Sequence, residues 1–241
     1  MFGTTLQVAK QAAIELGLPV PTELVTSLEV TNIQLLGLLN SAGNELVQYY
    51  DWEYLLKTHS FTSIAGTGKY ARPSDYARMV NQTLWDSSMR RPSFGPLSPQ
   101  SWQVITNAVV NAGPFSRYRI AGGNIEILPV PDSNGVGFNF QYISNGWVNS
   151  YLDPDITTSL IVNDQDVLLF DFWLLVKFLK LKMWQAKGLD TTSLTNDFSR
   201  AFDACTGQDH GAPVLNMSRT RNTPFLTMGN VQDGNYAIGN P

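Results

Sequence analysis

Apolar residues recur at helical spacing at both ends of the chain and alternate with polar ones in the middle. Over residues 4–16, Leu6, Ala9, Ala13 and Leu16 share a stripe, Thr4 or Thr5 stands where a cap is needed, and Gly17 with Pro19 and Pro21 ends the segment. A longer stripe of Leu28, Leu35, Leu39, Ala42 and Leu46, widened by Ile33, Leu36, Val47 and Tyr50, predicts a second helix over residues 27–50. A Pro-containing turn between the two makes an αα-hairpin.

From Trp52 the period changes to two. Leu56, Thr58, Ser60, Thr62 and Ile64 alternate with other residues, and Gly66-Thr67-Gly68-Lys69 follows as a hairpin turn. Further strands are expected at 79–85, 117–120, 125–128 and 138–143, with Gly122-Gly123-Asn124 turning one pair, and Ser98-Pro99 starts a short helix reaching about residue 110. The strongest helical pattern covers residues 164–187. Asn163 or Asp164 would cap it, Phe172, Leu175, Val176, Leu179 and Met183 line one face, and Gly188 closes it. A last helix is expected over 193–205, with Leu194, Phe198, Ala201 and Phe202 as its apolar side.

These elements predict an α+β fold, mainly α. Residues 1–54 and 160–208 would form a helical bundle of two N-terminal and two C-terminal helices, with an antiparallel β insertion and one short helix over 55–159. Residues 209–241 would form an extended C-terminal arm. There the larger apolar groups, Val214, Leu215, Met217, Phe225, Leu226, Met228, Tyr236 and Ile238, are too thinly spread for a core and are expected to contact a partner or a neighbouring subunit. The stretch 167–184 contains Asp171, Lys177, Lys180 and Lys182, so a buried helix is expected rather than a membrane span.

Composition sharpens this picture. Only 15% of the 241 residues are charged, against ~25% in ordinary soluble domains, so much of the surface is neutral or covered by neighbours. The formal charge of −4 provides no general field for gripping a phosphate backbone. Cys205, the single cysteine, excludes an internal disulfide, and the absence of an apolar N-terminal signal makes an intracellular site of synthesis the expectation.

Candidate chemistry is sparse. Gly66-Thr67-Gly68-Lys69 lacks the glycine and the Ser or Thr that a phosphate loop places around it, since Ser63 and Tyr70 occupy those positions. His59 and His210 stand alone without metal-ligand spacing, and Cys205 has no histidine near it in sequence. No catalytic, cofactor or metal site is expected. Asp51 and Glu53 beside Trp52 form the one acid-plus-aromatic cluster that could cut a glycan, which keeps a peptidoglycan-degrading enzyme as an alternative. Arg90, Arg91, Arg117 and Arg119 are the only local basic concentration and are expected to serve as interface charges. A DNA-binding regulator built on the N-terminal helix pair is the least favoured class, because the stripe from Leu28 to Leu46 has the character of core.

Several segments in order carry a resemblance. They are Leu46-Val47-Gln48-Tyr49-Tyr50-Asp51-Trp52-Glu53, Thr58-His59-Ser60-Phe61-Thr62 running on to Tyr70-Ala71-Arg72-Pro73-Ser74-Asp75-Tyr76, and Gly95-Pro96-Leu97-Ser98-Pro99-Gln100-Ser101-Trp102. Tyr142-Ile143-Ser144-Asn145 before Trp147 and Trp184-Gln185-Ala186-Lys187-Gly188-Leu189-Asp190 complete the set. Together they resemble the head-to-tail adaptor proteins of short-tailed phages, of the tail tubular protein A type. The resemblance implies a virion protein, made in the host bacterial cytoplasm, that forms a ring of twelve copies below the portal and extends the DNA channel towards the tail. Its implied partners are the portal protein, which the arm would dock, neighbouring adaptor subunits and the tail nozzle protein. DNA would pass without specific binding, and another neck component or the nozzle itself is the alternative within the virion.

Overall fold

The structure, a computed structural model, describes residues 2–107 and 115–209. In chain order its elements are β1 (Gly3–Thr4), α1 (Thr5–Leu16), α2 (Val30–Tyr49), a 3-10 turn (Glu53–Leu55), β2 (Leu56–Thr62), β3 (Lys69–Ala71) and β4 (Tyr76–Met79). They continue as β5 (Trp85–Asp86), β6 (Arg91–Pro92), α3 (Pro99–Asn107), β7 (Arg117–Ala121), β8 (Asn124–Leu128) and β9 (Gly137–Ser144). The last are β10 (Val148–Asn149), β11 (Thr157–Thr158), β12 (Val167–Leu168), α4 (Phe172–Ala186) and α5 (Thr192–Asp209).

The strands form three antiparallel sheets among the described residues. In the first, the order is β1-β12-β10-β11. The second is built on β9, which pairs from Gly137 to Ile143 with β2 and, along its other edge, with β5 and β4; β6 adds to β5. The third has the order β3-β8-β7, and the β7–β8 turn uses Gly122 at φ 55° and Gly123 at φ 80°, where side-chain-bearing residues are strained.

Two hydrophobic cores follow. The first joins α1, α2, α4 and the first sheet, through Val8, Leu35, Leu39, Trp147, Leu168 and Leu175 among others, with Phe198 and Phe202 of α5 packed on its side. The second lies between the other two sheets, where Tyr70, Leu84, Tyr118, Ile125, Phe138 and Phe140 meet. Trp147 is fully buried, and a methyl group on Gly43 would overlap its indole ring, so helix α2 can approach only because residue 43 has no side chain.

The architecture departs from the expected bundle. The fold is not a helical bundle with one inserted β unit, because a four-stranded sheet is woven into the helical part. Strand β1 precedes α1 and β12 precedes α4, and both pair in that sheet. Two-residue strands show no alternation, so periodicity could not reveal them. For the same reason the helix expected from residue 164 begins at Phe172. Asp171 accepts from the Trp173 and Leu174 amides as its cap, while Val167 and Leu168 are extended. Leu28 is 92% exposed, because α2 starts only at Val30 and Leu28 never joins its buried face. The run at 79–85 divides between β4 and β5. Gly66–Lys69 joins strands of different sheets rather than closing a hairpin.

The Gly43→Ala variant is expected to lose about 1–3 kcal/mol of stability from the clash with Trp147. The urea midpoint measures it, and an unchanged midpoint would show that the ring can move aside.

Candidate functional site

The residues that suggested chemistry are engaged in packing or turns. His59 lies on β2 with its ring 5.4 Å from Phe140 and stacked at 6.1 Å on Phe61. Cys205 is partly buried against the first core, and burial, then Asp171, raises its thiol pKa, which disfavours the nucleophilic thiolate. Asp51 accepts from Arg78 at 2.7 Å, and the Glu53 amide donates to Asp209 at 2.9 Å. Arg78 also donates to the carbonyls of Val47 and Tyr50, filling acceptors that the end of α2 leaves open. No metal-ligating cluster of three or more side chains occurs among the described residues, and none of their helices is long and apolar enough to cross a membrane.

The four candidate arginines are not gathered into one patch. Arg119 lies on the face of the third sheet away from the second core: Glu126, its cross-strand neighbour, accepts at 2.6 Å, and the guanidinium lies 4.6 Å from the Trp102 ring centre. Lys69 approaches Glu126 from the opposite strand at 3.4 Å, giving a row of cation, anion and cation. Arg91 lies 5.9 Å over Phe115, and Arg117 is near it through the bridge to Phe94. Arg90 is exposed at φ 53° in the β5–β6 turn. The tail positions Val214, Leu215, Met217, Phe225, Leu226, Met228, Tyr236 and Ile238 lie outside the described residues, as does His210.

The two cores are tied together by polar contacts around Asp75. Its carboxylate accepts from Lys57 at 2.8 Å, Tyr142 at 2.9 Å and Ser144 at 2.9 Å, and Lys57 reaches on to Thr157 of β11 at 2.9 Å. Burial pushes the Asp75 carboxyl up, but these bonds and the Lys57 charge outweigh it and hold it below the ordinary 3.8. Ion pairs from Lys180 to Glu15 and from Lys182 to Glu45 fasten α4 to α1 and α2.

What the surface offers is apolar. Beside β1, an open groove of about 410 Å³ is lined by Phe2, Ile14, Phe172 and Trp173 with Gln7, Lys10 and Gln11. A side chain on Gly3 would stand 2.6 Å from the Phe172 ring, so glycine lets that ring form the groove wall. Tyr151, Leu152, Ile156, Leu160 and Val162 are also exposed. Such groups on ordered segments are characteristic of contact surfaces. Sequence reasoning missed both.

A family model described as SU10 adaptor protein matches residues 4–217. The chain belongs to the SU10 adaptor protein family. The adaptor is thus a phage structural protein, as the ordered segments from Leu46 to Asp190 had suggested by resemblance, and its place is in the virion. Val214, Leu215 and Met217 fall within the matched span, whereas Phe225, Leu226, Met228, Tyr236 and Ile238 lie beyond it. No curated protein matches the adaptor.

Because its carboxyl pKa is lowered, Asp75 contributes stability that is present above 3.8 and is lost as the pH falls through the folded value. Asp75→Asn is therefore expected to be less stable than the natural chain at neutral pH, with the difference narrowing as the solution is acidified below 3.8. Urea midpoints across that range measure it, and a pH-independent difference would contradict the ionic account.

Proposed function

We propose that the adaptor forms a ring below the portal and extends the DNA channel from the head to the tail. The family match over residues 4–217 carries this reading. It is supported by a surface with few charges and many exposed apolar side chains, which suits a subunit covered by neighbours. A net charge of −4 suits a channel wall along which DNA moves without being held. The resemblance adds a copy number of twelve, with the portal protein on one side and the tail nozzle protein on the other.

In this reading the helical core and first sheet form the ring body, the second and third sheets project from it, and residues 209–241 form the arm that meets the portal or the neighbouring subunit. The arm's contacts are Val214, Leu215, Met217, Phe225, Leu226, Met228, Tyr236 and Ile238. In this reading Arg90, Arg91 and Arg117 serve as interface charges, and Arg119 is paired with Glu126. The role is structural, with neither catalysis nor a cofactor.

Removing residues 211–241 is expected to leave the preceding domain folded, with unchanged far-ultraviolet circular dichroism, and to abolish its capture by portal particles in a co-sedimentation assay. Capture at the level of the full chain would contradict the role of the arm.

A further inference from the structure

The first sheet ends in two unlike surfaces. At its β1 edge is the groove lined by Phe2, Ile14, Phe172 and Trp173, where Lys10 is the only ionic lining residue. At its β11 edge is the β10–β11 connection, residues 150–156, which carries Tyr151, Leu152 and Ile156 at 60%, 82% and 52% exposure. None of residues 150–156 lines the groove, so the connection and the groove are separate surfaces of one copy.

The connection is held in shape for contact. The Ile156 amide donates to the Asp153 carbonyl at 3.0 Å, the Asp155 amide to the Asp153 carboxylate at 3.2 Å, and the Tyr151 amide to Asp166 at 3.0 Å. Its apolar side chains therefore project from an ordered turn, which lowers the entropy lost on binding. Asp153 and Asp155 give it a negative charge of two.

The groove offers the opposite sign. Lys10 has no ion-pair partner among the described residues. Beyond Trp173 an adjoining hollow contains Lys177 and Lys180 with Glu15 and Asp197, and the Lys180–Glu15 pair leaves Lys177 and Asp197 as its other charges.

We propose that the turn at residues 151–156 of one copy seats in the β1-edge groove of the next copy, with Leu152 against Trp173 and Ile14 and Asp155 towards Lys10. This deepens the ring reading and rests on it. Each copy presents a projecting turn and a separate socket, so the contact is heterologous: repeated by rotation, it closes a ring and leaves no copy with an unused half. The negative turn meeting Lys10 in the groove also fixes the order of subunits and opposes turn-to-turn pairing.

Sedimentation velocity of the full chain over a concentration series provides the test. Leu152→Asp in the turn and Ile14→Asp in the groove are each expected to weaken association by about tenfold or more. Leu152 and Ile14 are 82% and 58% exposed, so circular dichroism and the urea midpoint should be unchanged. Each variant retains one intact half. An equimolar mixture should therefore form one-to-one pairs that neither variant makes alone, and nothing larger. Lys10→Glu should weaken association, and Asp155→Lys on the same chain should restore it. Rings that persist in both single variants would overturn this contact while leaving the ring reading intact. Loss of association without pairing in the mixture would also overturn it. A chain that stays monomeric at every concentration, with portal particles or without, would overturn both.

Discussion

Trp147 sits where the helices and the first sheet must agree. Its ring packs against the bare backbone of Gly43 on α2 and stacks 6.0 Å from Phe170 just before α4, while its indole N–H donates to the Ser159 carbonyl at 3.1 Å and Asn44 at 3.3 Å. One helix turn away, Asn40 accepts from the Ile161 amide at 3.0 Å. A large buried ring with its polar atom satisfied holds one geometry far better than an aliphatic cluster would. The position of β10 and β11 relative to α2 depends on this arrangement, and so does the direction in which the 150–156 turn projects.

The second sheet and third sheet depend on the first core less directly. Arg78 binds the end of α2, and Asp75 gathers Lys57, Tyr142 and Ser144, so charged and polar contacts join the β region to the helices alongside Ile143 of β9 and Leu56 of β2, which pack in the first core. Charge-assisted bonds of this kind fix orientation through their geometry. They also make the joint sensitive to acid in a way that the two cores are not.

Much of this was legible in the sequence, for identifiable reasons. Helices α1, α2 and α5 and strands β2, β7, β8 and β9 are long enough to express their periods, and Gly122-Gly123 marks a turn by conformational need. The first sheet was not legible, because β1, β10, β11 and β12 have two residues each and owe their pairing to distant segments. Asp164 misled for a related reason. It looks like a helix cap, yet it accepts from the Leu24 and Val25 amides, and the nearby Asp166 accepts from those of Tyr151, Val162 and Asn163. The family was legible from segment order, whereas the β1-edge groove was not, since it combines residues 2–14 with residues 172–173 and has no local signature.

These features describe a packed core with exposed apolar side chains at its surface, in a chain that belongs to an adaptor family. The proposed ring at the portal is the claim to which the surface, the turn and the arm all contribute. Electron microscopy of the purified full chain mixed with isolated portal rings tests it most directly. The account predicts a second, coaxial ring of density added to one face of the portal; portals that remain bare at saturating adaptor would contradict it.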